Sequence, residues 1–223
     1  MSNLYIKQGY FGISVFIVFN ILAMIEYPGG TIIDSTTEGY LFFYNFFSNL
    51  GEWTAKNGEL NTISAYLFNF SLIVLSISYF IFYYAFLKIQ VANNKNKLLN
   101  FLSISTIFLS LIFFVLVALF SSDPETFDIH VLFVKVAFRS LLIHCILQSI
   151  VVYLNNDFGK SMLISSILFT IVLFLFILVM EFGPNPFKDN ESLFIQVLAQ
   201  KVIVTSILIY FFFQIRETIS IQE

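Results

Sequence analysis

Apolar residues run along this sequence in unbroken stretches rather than in alternation. Six stretches stand out, at about 10–25, 63–89, 98–120, 129–154, 162–181 and 193–215. A helix crosses a hydrocarbon core of ~30 Å in about 20 residues. Barrel strands would alternate over about 10 residues, and runs such as SLIFFVLVALF do not. The expected fold class is all-α: a polytopic transmembrane bundle of six helices. Periodicity does not locate the helix faces, because the runs are apolar on nearly all sides.

The connections differ in kind. VANNKNK and NNDFGK are short and polar, whereas SSDPETFD and FGPNPFKDNE are acidic and carry prolines that stop helices. The segment 26–61 between the first two spans reads as one long loop. It opens on the turn signal YPGG and contains YLFFYNFF, which is too short to span. It predicts a re-entrant or interfacial element lying over the helices. No internal repeat is visible, and the spans use nearly all the length, so one domain over 1–223 is expected.

Composition strengthens the membrane reading. Of 223 residues, 58% are hydrophobic and 11% charged, with 30 Phe. A soluble domain carries about 25% charged residues, so this chain cannot cover a water-facing surface. The net charge of −3, without a basic run, gives no sign of nucleic-acid binding. Cys145 is the only cysteine and falls in an apolar span, where it reads as a small buried thiol. The N-terminal run lacks an A-x-A-like cleavage site and reads as a retained span.

Lysine and arginine set the expected orientation. Lys7, Lys88, Lys95, Lys97, Lys160 and Arg216 lie on one side, against Lys56 and Lys188 on the other. Both termini are then cytoplasmic, and the segment 26–61 is extracytoplasmic with the two acidic connections. A prokaryotic inner membrane is the expected location.

Three cations fall inside spans: Lys135, Arg139 and Lys201. A charge near the bilayer centre costs at least ~2.5 kcal/mol, so such groups face the bundle interior, water or a partner. Lys135 and Arg139 are four apart and share a helical face, with Asp128 seven residues before Lys135 on that face. At 1.5 Å per residue, Lys135 lies roughly 10 Å below the outer surface and Arg139 about one turn deeper. Lys201 enters at a similar depth on the last span, accompanied by Gln196 and Gln200. Like charges so close need something negative between them. That could be protein, from Glu181, Asp128, Glu52 or Glu26, or an anionic ligand such as a phosphate headgroup, carboxylate or small anion. Snorkelling of Lys135 to the interface is a further reading.

His130 opens the fourth span near Asp123, Glu125 and Asp128. One histidine with carboxylates is a weak zinc set, and an interfacial histidine bonded to the loop is the plainer reading; no metal is assigned. His144 lies half a turn around the helix from Lys135 and reads as a core histidine bonded to a neighbouring helix. Ser48, Asn49 and Glu52 precede the second span, where Asn61 and Thr62 predict its cap and Asn69 an interhelical hydrogen bond. The Ser48–Glu52 turn either belongs to this capping or reaches over the cations. The candidate ligand-binding set is thus Lys135, Arg139, Lys201, Glu52, Ser48, Asn49, His130 and Gln200.

NFFSNLGEW followed by NTISAYLFNFSLIVLS resembles the opening of the DUF998 family of six-span bacterial and archaeal membrane proteins. The match lies in Ser48, Asn49, Leu50 and Gly51, then Leu67, Phe68 and Asn69, then Asp123 and His130. Asn49 stands where that family usually has aspartate. The resemblance implies a six-span fold and these candidate positions, not a reaction. A looser similarity is to the Frag1/DRAM/Sfk1 six-span proteins, which are associated with lipid handling.

The expected function is binding or handling of an anionic lipid headgroup or small anion, with membrane lipids as partners and no cofactor. An intramembrane lipid hydrolase or transferase is the first alternative; two histidines on opposite faces argue against its metal-dependent form. A scaffold held by internal salt bridges is the second. A retinal protein with Lys201 as Schiff-base lysine and Glu181 as counter-ion would need seven spans, and six are counted. The chain has no Walker loop, GxSxG elbow, HExxH or CxxC, which points away from an enzyme.

Overall fold

Residues 4–93, 96–155 and 158–222 are described by a computed structural model. Lys95, counted above for sidedness, lies outside them. The six apolar runs form six helices: α1 Leu4–Glu26, α2 Thr62–Asn93, α3 Lys97–Leu119, α4 Phe127–Leu154, α5 Lys160–Phe182 and α6 Asn190–Gln222. All six are long and apolar enough to cross a membrane. Among the described residues there is no strand, only two isolated bridges, Gly29 with Glu38 and Thr54 with Leu60. The helices outrun the expected spans because polar turns continue the backbone bonding past the apolar stretch. Large apolar residues such as Phe11, Ile17, Ile112, Leu168, Ile171 and Leu175 are exposed around the bundle. In water such a girdle would be untenable; in lipid it is the expected outer face. The chain is an integral membrane protein by this criterion.

With lipid outside, close packing and buried hydrogen bonds hold the helices together. α1 packs along α2, and α3 along α4. Gly12 makes the first seam possible: a Cβ there would stand 2.4 Å from Ser78 Cβ. Aromatic rings fill the centre, with Tyr79, Phe82 and Phe211 in mutual edge and tilted contacts. Near the end that holds the termini, a polar cluster ties α2, α3 and α4. Tyr83 donates to Gln90 Oε1 (3.0 Å), Gln90 Nε2 donates to Asn100 Oδ1 (3.2 Å), and His144 Nδ1 donates to the Ser103 carbonyl (2.9 Å). His144 is thus a core histidine, as its position on the helix predicts.

What reads in the sequence as a long loop is a folded cap. Residues 27–61 close on themselves through short turns and a 3-10 helix, η1, Phe47–Gly51. The cap has its own small core, in which Tyr27, Phe47, Leu50 and Ala55 pack with Ala23 of α1 and Phe68 of α2. Gly51 lets η1 lie directly on α2, since a Cβ would meet Asn69 Oδ1 at 2.6 Å. The expected interhelical bond of Asn69 goes instead to this cap: its Nδ2 donates to the Gly51 carbonyl (3.0 Å). Asn61 takes the cap position before α2, its carbonyl accepting from the Ala65 N–H (3.0 Å), but its side chain does not cap the helix. Among the described residues its Oδ1 meets no donor, while its Nδ2 donates to the Leu50 (3.1 Å) and Glu52 (2.8 Å) carbonyls. The side chain is spent on fastening the cap.

Candidate functional site

Beneath the cap, between α4 and α6, lies a cavity of about 680 Å³. Ser48, Asn49, Glu52 and Lys56 of the cap line it, with Ser122, then His130, Val134 and Lys135 of α4, Gln196 and Gln200 of α6, and 183–187 of the last connection. Six of the eight candidate residues therefore meet at one cavity: Lys135, Glu52, Ser48, Asn49, His130 and Gln200. Arg139 and Lys201 do not line it. A second cavity of about 100 Å³ sits at the bundle centre, lined from all six helices by residues that include Phe16, Leu72, Ile107, Phe138, Phe169 and Val204. Val134 and Gln200 of the first cavity are one turn from Phe138 and Val204 of the second. A polar chamber thus stands above an apolar one.

Glu52 follows η1 directly and is 1% exposed. Its Oε1 accepts from Asn49 Nδ2 (2.9 Å), Ser122 Oγ (2.7 Å) and Lys56 Nζ (2.9 Å). Oε2 is buried with no partner among the described residues. Burial pushes the Glu52 carboxyl above its usual range, against the pull of Lys56 and the other donors. Asn49 suits this place chemically. Its Oδ1 accepts from the Phe46 N–H (2.7 Å) while its amide N–H donates to Glu52. An aspartate could do only the first and would set a second carboxylate against Glu52.

The three intramembrane cations do not converge, which corrects the single cationic cluster expected above. Lys135 Nζ (3.5 Å) and Arg139 Nη2 (2.7 Å) share the Glu181 carboxylate of α5. Of the carboxylates expected as partners, Glu181 is the one they use. Lys201, 3% exposed, faces the cap instead. Its ammonium donates to the Tyr40 hydroxyl and lies 3.7 Å from the ring centre of Phe47, with Phe42 at 4.9 Å. Such rings attract a cation through their faces. Glu181 is committed to α4, so the lysine–counter-ion pair of a retinal site is absent. The reason for the split is rotational. Gln196 and Gln200 are four apart on α6 and share a face, whereas Lys201 is one residue on, about 100° around the helix.

His130 does not gather the nearby acids. Its Nδ1–H donates to the Phe120 carbonyl (2.6 Å), and Asp123 turns towards the cap, accepting from the Trp53 (3.0 Å) and Thr54 (3.3 Å) N–H groups. Among the described residues, no three His, Cys, Asp or Glu side chains form a metal-holding group. Gln200 Oε1 accepts from the Phe47 N–H (2.6 Å), so adjacent residues of α6 grip Phe47 by its backbone and its ring. Sequence reasoning missed Ser122, Lys56 and Tyr40, all of which contact candidate residues. Ser122 carries a signal, since it stands in the acidic connection beside Asp123. Tyr40 carries none, because a loop tyrosine has no periodicity to place it. Comparison of the chain with protein-family models, with curated proteins and with solved structures found no match.

Proposed function

We propose that this membrane protein binds the anionic headgroup of a lipid, or a small anion of the same chemistry, in the cavity between the cap, α4 and α6. One observation carries the reading: Lys135 lines the cavity and shares a single carboxylate, Glu181, with Arg139. Two cations against one anion leave a positive charge at the cavity wall, and a phosphate or carboxylate group is its natural complement. Ser48 and Gln200 add neutral polar groups. The apolar chamber one turn below favours an amphiphile over a bare ion. In this reading the cap is extracytoplasmic, both termini are cytoplasmic, the site lies in the outer half of a prokaryotic inner membrane, and the role is binding or handling rather than catalysis. Membership of the DUF998 family stays part of the same proposal. Among the positions that carry the resemblance, Asn69 and Asp123 fasten the cap by bonding Gly51 and Trp53, and Asn49 bonds Glu52 within it.

A scaffold is the competing reading, and the same ion triad favours it, since Glu181 ties α4 to α5 whatever occupies the cavity. Lys135→Ala separates the two. Arg139 still pairs Glu181 at 2.7 Å when Lys135 is removed, so no carboxylate is left unanswered and the cost in stability is small. Binding of phosphatidic acid or phosphatidylglycerol, followed by native mass spectrometry, is expected to weaken about tenfold, with the thermal midpoint in detergent nearly unchanged. A lowered midpoint with unaltered lipid binding would favour the scaffold.

A further inference from the structure

Glu52 treats its two oxygens unequally. Three donors crowd Oε1: Asn49 Nδ2, Ser122 Oγ and Lys56 Nζ, all within 2.9 Å. Oε2 is equally buried and accepts from nothing among the described residues. Buried polar atoms are nearly always paired, because an unpaired one forfeits its hydration without return. The ammonium beside Oε1 favours the charged carboxylate, which makes Oε2 an acceptor. Glu52 also lines the cavity that Lys135 lines.

We infer that the cavity's ligand supplies the missing donor: its headgroup pairs a phosphate or carboxylate, held at Lys135, with a hydroxyl or ammonium group that donates to Glu52 Oε2. Phosphoglycerol and phosphoethanolamine headgroups have this chemistry, whether on a lipid or as the free headgroup. The inference rests on the anion site proposed above and adds what distinguishes one anionic headgroup from another. Neither cation near the site reaches Oε2 in the fold, where Lys56 bonds Oε1 and Lys135 turns to Glu181.

Matched lipid pairs test it on the full-length protein in nanodiscs. Phosphatidylglycerol and phosphatidylmethanol carry the same charge, but only the first has free hydroxyls. Phosphatidylethanolamine and phosphatidylcholine differ likewise in N–H groups. The donor-bearing member of each pair is expected to bind about tenfold more tightly, the worth of one hydrogen bond to a charged acceptor. In Glu52→Gln the three donors hold the amide oxygen at the Oε1 position and turn its NH₂ to where Oε2 stood. Donor then faces donor, and the preference is expected to vanish. Soluble glycerophosphoethanolamine separates the sources: if it competes, the free headgroup suffices, and if it does not, the acyl chains are needed. Equal affinity within both pairs would overturn the inference and leave Glu52 with a buried water or nothing at all. A preference that survives in Glu52→Gln would overturn it too. Should the variant fail to fold, the wild-type pairs still decide. Failure of the underlying anion site reads differently, as equal binding of all lipids that Lys135→Ala does not change.

Discussion

Glu52 and Lys201 are both buried charged side chains, yet their surroundings answer the charge in opposite ways. Glu52 has a cation and two neutral donors on one oxygen, and burial still raises its carboxyl above the ordinary 4.5. The folded protein therefore holds that proton more tightly than the unfolded chain. The stability this contributes is complete below 4.5 and is lost as pH rises through the higher folded value. Glu52→Gln cannot titrate. The midpoint of wild type minus that of Glu52→Gln, followed by thermal unfolding in detergent, is expected to fall as pH climbs from 4.5 to neutrality. A difference that stays flat or grows would show that the carboxyl is not raised. Among the described residues Lys201 has no carboxylate partner; a tyrosine hydroxyl and aromatic faces surround it. Its place in the last span reads as a binding lysine in the sequence, but in the fold it pins the cap to α6.

Among the elements, the cap and α2 meet through a close approach at Gly51. η1 lies against the first turns of α2 because residue 51 has no side chain. Gly51→Ala would drive a methyl group into Asn69 Oδ1 and into the Phe68 ring at 2.7 Å. Phe68 belongs to the cap's small core, so neither neighbour yields freely. The expected cost is about 1–3 kcal/mol, typical of overpacking, with the damage concentrated in the cap. Limited proteolysis would register it as faster cleavage within 27–61 while the helices stay protected. Unchanged cleavage would mean that η1 can shift without loss. Glu52 follows Gly51 directly, so the same change would also shift the acceptor that the headgroup inference invokes.

At the scale of the whole molecule, charge and shape divide the bundle into two ends. The cap, the Glu181 ion triad and the larger cavity share one end, and the termini share the other. Single-cysteine labelling tests the proposed sidedness. Cys145 is buried and contributes little background. In intact cells, Glu59→Cys on the exposed edge of the cap is expected to react with a membrane-impermeant maleimide, and Lys160→Cys only after lysis. The reverse pattern would invert the topology and move the site to the inner leaflet. The stacked chambers are likewise a property of the whole bundle, since every helix contributes to the lower one.

Six spans were legible in the sequence because a helix in lipid must be apolar for its whole crossing, and that demand shows in length and composition alone. Much of the cavity lining was legible for a related reason: polar and charged residues such as Lys135, Gln200 and Glu52 have few places to go in a molecule with an apolar exterior. Their partners were not. Whether Lys201 meets an anion or a ring of aromatics turns on about 100° of helix rotation, which a helix apolar on most sides does not encode in its pattern. That segment 27–61 folds into a cap rather than a loose loop depends on contacts between residues far apart in the chain, such as Phe47 with Gln200 and Trp53 with Asp123. Local sequence determined which segments enter the membrane. Tertiary packing alone decided which charges face one another, because helix rotation and long-range hydrogen bonds are fixed only when all six helices are in place.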